Sequence, residues 1–334
     1  MNIIAISRGT RYSPGHVGND AAIYNKVVEE LRHWGHIVRT CAEDEFLALP
    51  LLEREGDGLS LLEREGDGSS LLEGEADGSP LHEGEADGSS LLERETDGSP
   101  LLEREGDGSL DGLPDVVVTM ARDPRTLARL MEWEARGVRI INSPRGVLGC
   151  VRRPMTEQLV AHGVPHPRSW IVATDEPLPA EVTFPCWLKR GDSHVVVKAD
   201  VSYASTRDEA LCAMGGMRER GIPSVVINEH LAGDLVKFYG VQADAFFHWF
   251  YPSATSHSKF GLEAINGEAQ GLPFDPARLK QYADEAARLL HVPIYGGDAV
   301  VSADGSVRII DFNDWPSFAP CRDEAARAIA RRVR

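Results

Sequence analysis

Two carboxylates and an amide stand near the end of the chain with a spacing that suits a hard metal ion. The stretch runs Gly296-Gly297-Asp298-Ala299-Val300-Val301, then Asp304-Gly305, then Arg308-Ile309-Ile310-Asp311-Phe312-Asn313-Asp314-Trp315-Pro316-Ser317. It reads as two short apolar strands joined by a tight Asp-Gly turn. Side chains alternate between faces along a strand, so Asp311 and Asn313 point the same way. Asp298, starting the partner strand, lies on that face too. Converging oxygen donors suit Mg²⁺, which keeps some waters and accepts phosphate oxygens. An ordinary hairpin with polar ends is the plain alternative.

A second group precedes it. In Pro185-Cys186-Trp187-Leu188-Lys189-Arg190-Gly191-Asp192-Ser193-His194, Lys189 ends a strand and enters a Gly/Ser/His loop. A lysine there neutralises phosphate, and such a loop closes over it. A third group is the strand Ser224–Leu231, ending in Asn228-Glu229-His230-Leu231. Gly233-Asp234 then turns the chain into Leu235-Val236-Lys237-Phe238-Tyr239. The strand end offers backbone groups to an adenine edge, Asp234 a partner for ribose, and Lys237 a return to the phosphates. Ser256-His257-Ser258-Lys259 follows the aromatic strand Phe246–Tyr251, and Trp315 to Phe318 follows the hairpin. Each reads equally as substrate contact or as structure: a solvated loop in the first case, core packing in the second.

The elements that must carry these groups are legible in order. Asn2–Ser7 is a buried-type strand, and a loop from Arg8 to Gly18 follows it. Asn19 or Asp20 then caps a helix with Ile23, Val27, Leu31 and Trp34 inward and Gly35 as its stop. His36–Cys41, Asp115–Met120 and Val138–Asn142 are further strands, and Pro124–Ala135 is a helix. Alternating strands and helices predict a parallel α/β layer. The loop after the first strand is no Gly-x-Gly-x-x-Gly fingerprint. It does occupy the ligand-binding position of open α/β sheets, where Arg8, Arg11 and His16 favour an anion; a solvated turn with incidental basic residues is the alternative. A helix following Arg152-Arg153 ends at Gly163, and Pro165 and Pro167 mark a domain hinge. The pattern predicts a further helix over 206–220, with Ala210, Met214 and Met217 inward.

The 334 residues suffice for two domains, and no apolar run spans a bilayer. The N-terminus lacks a signal-peptide layout. Five scattered cysteines without a Cys-x-x-Cys pair argue against a disulfide framework or zinc site and favour a reducing, cytoplasmic setting. His162 and His166 are four apart, but Gly163 and Pro165 break any helix between them. The net charge of −17 is mostly local. Residues 51–110 are six ten-residue units of the type Leu-Leu-Glu-Arg-Glu-Gly-Asp-Gly-Ser-Ser, with 18 acids and four arginines. They read as a flexible or weakly structured insert; a self-supplied acidic substrate or a partner tether is the alternative. The remainder is close to neutral, and nothing points to nucleic acid or membrane.

Taken in order, these motifs resemble the ATP-grasp superfamily, over essentially the whole chain outside the repeats. A small α/β domain comes first, then Arg152-Arg153 on a linker helix and Lys189 before a flexible loop. Asn228 to Leu231 follow, and finally Asp298 with Asp311-x-Asn313. The hinge and hairpin are similar to those of glutathione-synthetase-like and glutamate-adding ligases. The stretches Gly233–Tyr239 and Ile310–Pro316 are also similar to inositol-phosphate kinases of the same fold.

The resemblance implies an α/β fold with three parts. Residues 1–50 and 111–150 form an N-terminal domain with a parallel sheet, 51–110 the repeat insert, and 151–334 two α+β subdomains that clasp ATP. It implies that Lys189, Arg153 and Lys237 hold phosphates and serve catalysis. Glu229, His230, Leu231 and Asp234 line the nucleoside, and Asp298, Asp311 and Asn313 hold Mg²⁺. Arg8, Lys259 and Ser317 fall to the substrate. The activity implied is a Mg-ATP-dependent ligase joining a small carboxylate to an amine or thiol through an acylphosphate. A kinase of this fold and a non-catalytic ATP-binding protein are the alternatives, and homo-oligomerisation stays open. Two departures stand out: the loop after Lys189 has one glycine, Gly191, where the family is glycine-rich, and Asp311 occupies a position often held by the longer Glu.

Overall fold

The computed structural model describes residues 1–13, 17–49, 113–195, 197–252 and 265–334. The readings of the repeats, His16 and the 256–259 loop with Lys259 lie outside the described residues.

Three four-stranded sheets organise the described chain. The first is parallel, with β1 (Asn2–Ile6), β2 (Ile37–Cys41), β3 (Val116–Thr119) and β4 (Arg139–Ile141) in the order β2-β1-β3-β4. Its strands are nearly continuous apolar runs because helices cover both faces. On one face, α1 (Val17–His33) buries Ile23, Val27 and Leu31, together with the alanine-rich α8 (Arg322–Val333). The two helices pack against each other, the branched side chains of α1 meeting the alanines of α8 within one cluster.

α1 begins before Asn19 and Asp20, so neither caps it; Asp20 lies buried in its first turn, 3.0 Å from Arg8. A short helix not anticipated from the sequence, α2 (Glu43–Ala48), follows β2. α3 (Pro124–Ala135) has the predicted bounds, with the Asp123 side chain capping Arg125 N at 2.9 Å. Two further helices, α4 (Pro144–Gly149) and α5 (Arg152–Ala161), lead out of this layer.

The second sheet holds β5 (Ser169–Ala173), β6 (Cys186–Arg190), β7 (Val201–Ala204) and β8 (Ser224–Glu229) in the order β5-β8-β6-β7, all antiparallel. α6 (Arg207–Glu219) covers its back, packing Ala210, Met214 and Met217 against Leu188, Val225 and Ile227, as the helical spacing predicts. The third sheet holds β9 (Asp234–Val241), β10 (Phe247–Phe250), β11 (Ile294–Val301) and β12 (Val307–Asp314) in the order β10-β9-β11-β12. Its back is covered by α7 (Pro276–Leu290), which buries Leu279, Ala283, Ala286 and Leu290. The open faces of the second and third sheets line one cleft.

The predicted hairpin is β11–β12, but Asp298 is an interior residue of a strand that begins at Ile294. Of the two readings of the segment after it, core packing is the one observed. Trp315 (1 % exposed) and Phe318 (0 %) join the cluster under α1 and α8. Both take left-handed backbone angles, φ +38° and +49°, unusual for side chains of this size.

Candidate functional site

Cross-strand register builds the floor of the cleft in rows. Lys237, Asp298 and Asp311 are direct neighbours across β9, β11 and β12. One step along the strands, Leu235, Val300 and Arg308 form a second row. One step the other way lie Tyr239, Gly296 and Asn313. Residues two apart share a face. The cleft therefore changes from apolar (Leu235, Val300) to charged (Lys237, Asp298, Asp311) over about 7 Å. Gly296 lets Pro316 and Tyr239 close in beside it, since a Cβ there would lie 2.7 Å from Pro316 Cγ and 2.8 Å from Tyr239 Cδ1.

A β-bulge makes this arrangement possible. Asp298 pairs with Asp311, yet Ala299 pairs with Ile309, so the ladder skips Ile310. Val307 and Ile309 face the core, and strict alternation from them would bury Asp311. After the extra residue Phe312 takes the core position, while Ile310, Asp311 and Asn313 line the cleft.

The facing wall comes from the second sheet. Trp187 and Lys189 on β6, Val201 on β7 and Asn228 and Glu229 on β8 line the same cavity, of about 320 Å³. Lys189 Nζ donates to the Ile310 main-chain oxygen at 2.9 Å, so the bulge residue is also where the two walls meet. Trp187 Nε1 donates to His230 Nδ1 at 3.1 Å, and Tyr203 packs edge-on against both rings. Glu229 Oε1 accepts from Arg168 N at 2.9 Å and Arg308 Nη1 at 3.1 Å. Asn266 lines the cavity and donates to the Leu231 and Gly233 carbonyls at 3.1 and 3.3 Å. Trp187, Val201, Leu231, Leu235 and Val300 thus give one end a planar, apolar character.

The other end is electrostatic. Lys237 Nζ lies 3.0 Å from Asp298, and Arg152 Nη2 lies 3.3 Å from Asp311. Burial raises the Asp311 pKa, but Arg152, Lys189 and Lys237 outweigh it and hold the group below its ordinary value. Burial, with Arg152 adding to it against Asp311 and Asp298, lowers Lys189 to about 7. His194, on the loop after β6, is lowered to about 3, chiefly by burial and then by Arg122, so its imidazole is neutral at neutral pH. Four cations (Arg122, Arg152, Lys189, Lys237) and three carboxylates (Glu229, Asp298, Asp311) line the cavity. A surplus of positive charge beside an acid pair suits a polyanion carried with a metal ion.

Asp298, Asp311 and Asn313 supply hard oxygen donors on one face of adjacent strands, which fits a divalent ion of the magnesium type. Among the described residues, no group of three or more His, Cys, Asp or Glu is placed to share a metal. The candidate set is therefore two carboxylates completed by an amide.

The structure brings together Lys189, Glu229, His230, Leu231, Lys237, Asp298, Asp311 and Asn313. It does not bring Arg153, Asp234, Arg8 or Ser317 to the cavity lining. The Arg153 side chain is 53 % exposed and pairs with Glu157 at 3.0 Å; its main-chain N–H instead holds the Gly191 carbonyl. Its neighbour Arg152 reaches Asp311, because adjacent helix positions point about 100° apart. Asp234 is buried and accepts from Gln270 N and Leu272 N, both at 2.8 Å, so it anchors a loop. Arg8 is buried among Asp20, Asp314 and the Met120 and Trp315 carbonyls.

Residues that sequence reasoning missed are Arg122, Trp187 and His194. Trp187 carried a signal, since it stands two positions before Lys189 on one strand and so shares its face.

No protein-family model matches the sequence, and comparison with curated proteins finds none that matches. Solved structures do match. D-alanine–D-alanine ligase from Bacillus anthracis complexed with ATP superposes with a TM-score of 0.55 at 11 % identity, over 100 % of this chain and 98 % of that one. A RimK domain ATP-grasp protein from Sphaerobacter thermophilus gives 0.56 at 13 %, over 99 % and 98 %. The ATP-grasp ligase PsnB complexed with a minimal precursor gives 0.56 at 16 %, over 99 % and 97 %. The chain has the ATP-grasp fold: an N-terminal parallel α/β layer followed by two antiparallel sheets that face each other across a cleft.

Proposed function

We propose that the protein is a Mg-ATP-dependent ligase that joins a carboxylate to an amine through an acylphosphate. The observation that carries this reading is the row Lys237–Asp298–Asp311, with Lys189 and Arg152 beside it and an apolar row one step away. The base of ATP goes to the apolar end, against Leu235, Val300 and Trp187. The triphosphate goes to the cations. Asp298, Asp311 and Asn313 would hold Mg²⁺, which would neutralise charge on the phosphate oxygens.

In the first step the γ-phosphorus gains a bond to a carboxylate oxygen. Its bond to the bridging oxygen breaks, and that electron pair stays with ADP. In the second, the amine adds to the acyl carbon and phosphate departs with the C–O bonding pair, while the amine's proton passes to phosphate or solvent. The protein's own share is positioning and charge. Lys189 and Lys237 bind phosphate oxygens, and Arg152 holds Asp311 ionised. The walls exclude water, which would otherwise hydrolyse the acylphosphate.

The test is a screen for ADP release, pairing free amino acids, small carboxylates and peptide carboxylates with amines, with Asp311→Ala as control. Peptides belong in it because one similar structure, PsnB, holds a precursor peptide together with AMPPNP. Release that needs both a carboxylate and an amine supports the proposal. Release with an alcohol alone makes the protein a kinase of this fold, and tight ATP binding without turnover makes it a binding protein. An Asp311→Ala protein that turns over normally removes the metal assignment.

A further inference from the structure

The N-terminal layer places one cation in the cleft. Arg122 follows β3, at the carboxyl end of the parallel sheet, and lines the same cavity as Lys189 and Asp311. Its position is fixed from two sides. Its main-chain N–H and that of Asp123 donate to Glu43 Oε1, and Gly9 N donates to Glu43 Oε2 at 2.7 Å. Its guanidinium gives Nε and Nη2 to the Asp314 carboxylate at 3.2 and 2.6 Å. Asp314 is 1 % exposed and is approached by Arg8 Nη2 at 3.7 Å, while Arg8 Nη1 holds Asp20 at 3.0 Å. Two guanidinium groups and two carboxylates thus balance inside the protein, and Arg122 keeps its charge although buried.

This chain of ion pairs leaves one edge of Arg122 over. Nη1 makes no hydrogen bond to a described residue. The Arg122 side chain keeps 14 % exposure, and a guanidinium N–H₂ open to a cavity wall is best satisfied there by an oxyanion. The place along the cleft says which oxyanion. From the apolar row, the charged row is about 7 Å along the strands and the Asn313 row about 7 Å further. Asp314, which holds Arg122, comes after Asn313. Arg122 therefore stands at the end remote from the apolar row, where a triphosphate lying along the cleft puts its last phosphoryl group.

We infer that Arg122 is a catalytic residue that donates from Nη1 to the phosphoryl group in transfer, and that Asp314 is the positioning residue that aims it. The inference rests on the proposed nucleotide site. As the bond from the γ-phosphorus to the bridging oxygen breaks, its pair leaving on ADP, and the bond to the acceptor oxygen forms, negative charge spreads over the three equatorial oxygens. A fixed guanidinium reaching one of them favours that arrangement over bound ADP or ATP.

The experiment compares the affinity of the full-length protein for Mg-ADP with and without aluminium fluoride, a mimic of the phosphoryl group in flight. Wild type should bind Mg-ADP and tighten when fluoroaluminate is added. Arg122→Gln should bind Mg-ADP within about twofold of wild type and lose roughly 10–100-fold of the fluoroaluminate tightening, the scale for removing one charged donor. Asp314→Asn should lose part of the same tightening, and Arg122→Lys should restore part of it. Equal tightening in Arg122→Gln and wild type overturns the inference. So does an equal loss for Mg-ADP with and without fluoroaluminate, which would mark a structural role. A wild-type protein that binds Mg-ADP without any tightening overturns it as well. If wild type does not bind Mg-ADP at all, the nucleotide site itself falls, and the inference with it. Should Arg122→Gln not fold, Arg122→Lys makes the same comparison with the charge retained.

Discussion

Lys189 Nζ donates to the main-chain oxygen of Ile310 at 2.9 Å, and this one bond joins the second sheet to the bulge of the third. The lysine is 7 % exposed, and burial first, then Arg152, lowers its pKa to about 7. Its charge is therefore only half present at neutral pH before any anion arrives. A triphosphate beside it favours the charged form and raises the value again. Between the free and the bound value, binding takes up a proton, so affinity falls as pH rises above about 7. Titration calorimetry of Mg-ATP at pH 8 in buffers of different ionisation enthalpy should read uptake of part of one proton, and Lys189→Met should abolish it. Binding with no proton exchange at that pH would contradict the assignment.

Arg152 and Arg153 are adjacent and chemically alike, yet only the first touches the acid row. Arg152→Ala removes the partner of Asp311 and should weaken Mg-ATP binding at least tenfold, measured by the same calorimetry. Arg153→Ala breaks a half-exposed pair with Glu157. Such pairs contribute below about 0.5 kcal/mol, so its affinity and melting temperature should match wild type. A reversed order of effects would return the phosphate role to Arg153.

Asp234 separates structure from binding in a similar way. Its carboxylate takes the N–H groups of Gln270 and Leu272, in the loop that also carries Asn266 to the cavity wall. Asp234→Ala strands two partly buried donors and should cost roughly 1–3 kcal/mol of stability, seen as a lower melting temperature. ATP and 2′-deoxy-ATP should bind Asp234→Ala and wild type in the same ratio. A ratio that changes only in the variant would give Asp234 back its ribose.

The compact unit formed by residues 1–51 and 114–334 contains all three sheets and the whole described cavity lining. The end of α2 is secured within it, since the Arg129 guanidinium holds the Phe46, Leu47 and Leu49 carbonyls. Replacing residues 51–110 by a short Gly/Ser linker should therefore leave Mg-ADP affinity unchanged within about twofold, because closure entropy varies slowly with loop length. Loss of folding or of nucleotide binding on that deletion would make the repeats part of the working protein.

What the sequence disclosed follows from the range of the forces involved. The β11–β12 hairpin was legible because its signals are local: alternation, an Asp-Gly turn, and Asp311 and Asn313 two apart. The inward face of α6 was legible for the same reason. The choice between Arg152 and Arg153 turns on the phase of a helix whose first residue the sequence does not fix. Asp234 stands at a strand start, where a carboxylate serves a ligand and a loop equally well. Arg122 gave no signal at all, since what aims it is Asp314, 192 residues further along the chain.

The skipped residue at Ile310 has a bearing on how this hairpin tolerates change. Removing Ile310 would join Ile309 directly to Asp311, and both would keep their partners Ala299 and Asp298 in a straight ladder. Asp311 and Asn313 would stay on the open side and Phe312 in the hydrophobic layer. What disappears is the kink that presents a carbonyl to Lys189. Of single-residue deletions scanned along β12, that one should therefore spare the acid row and loosen only the tie between the two walls.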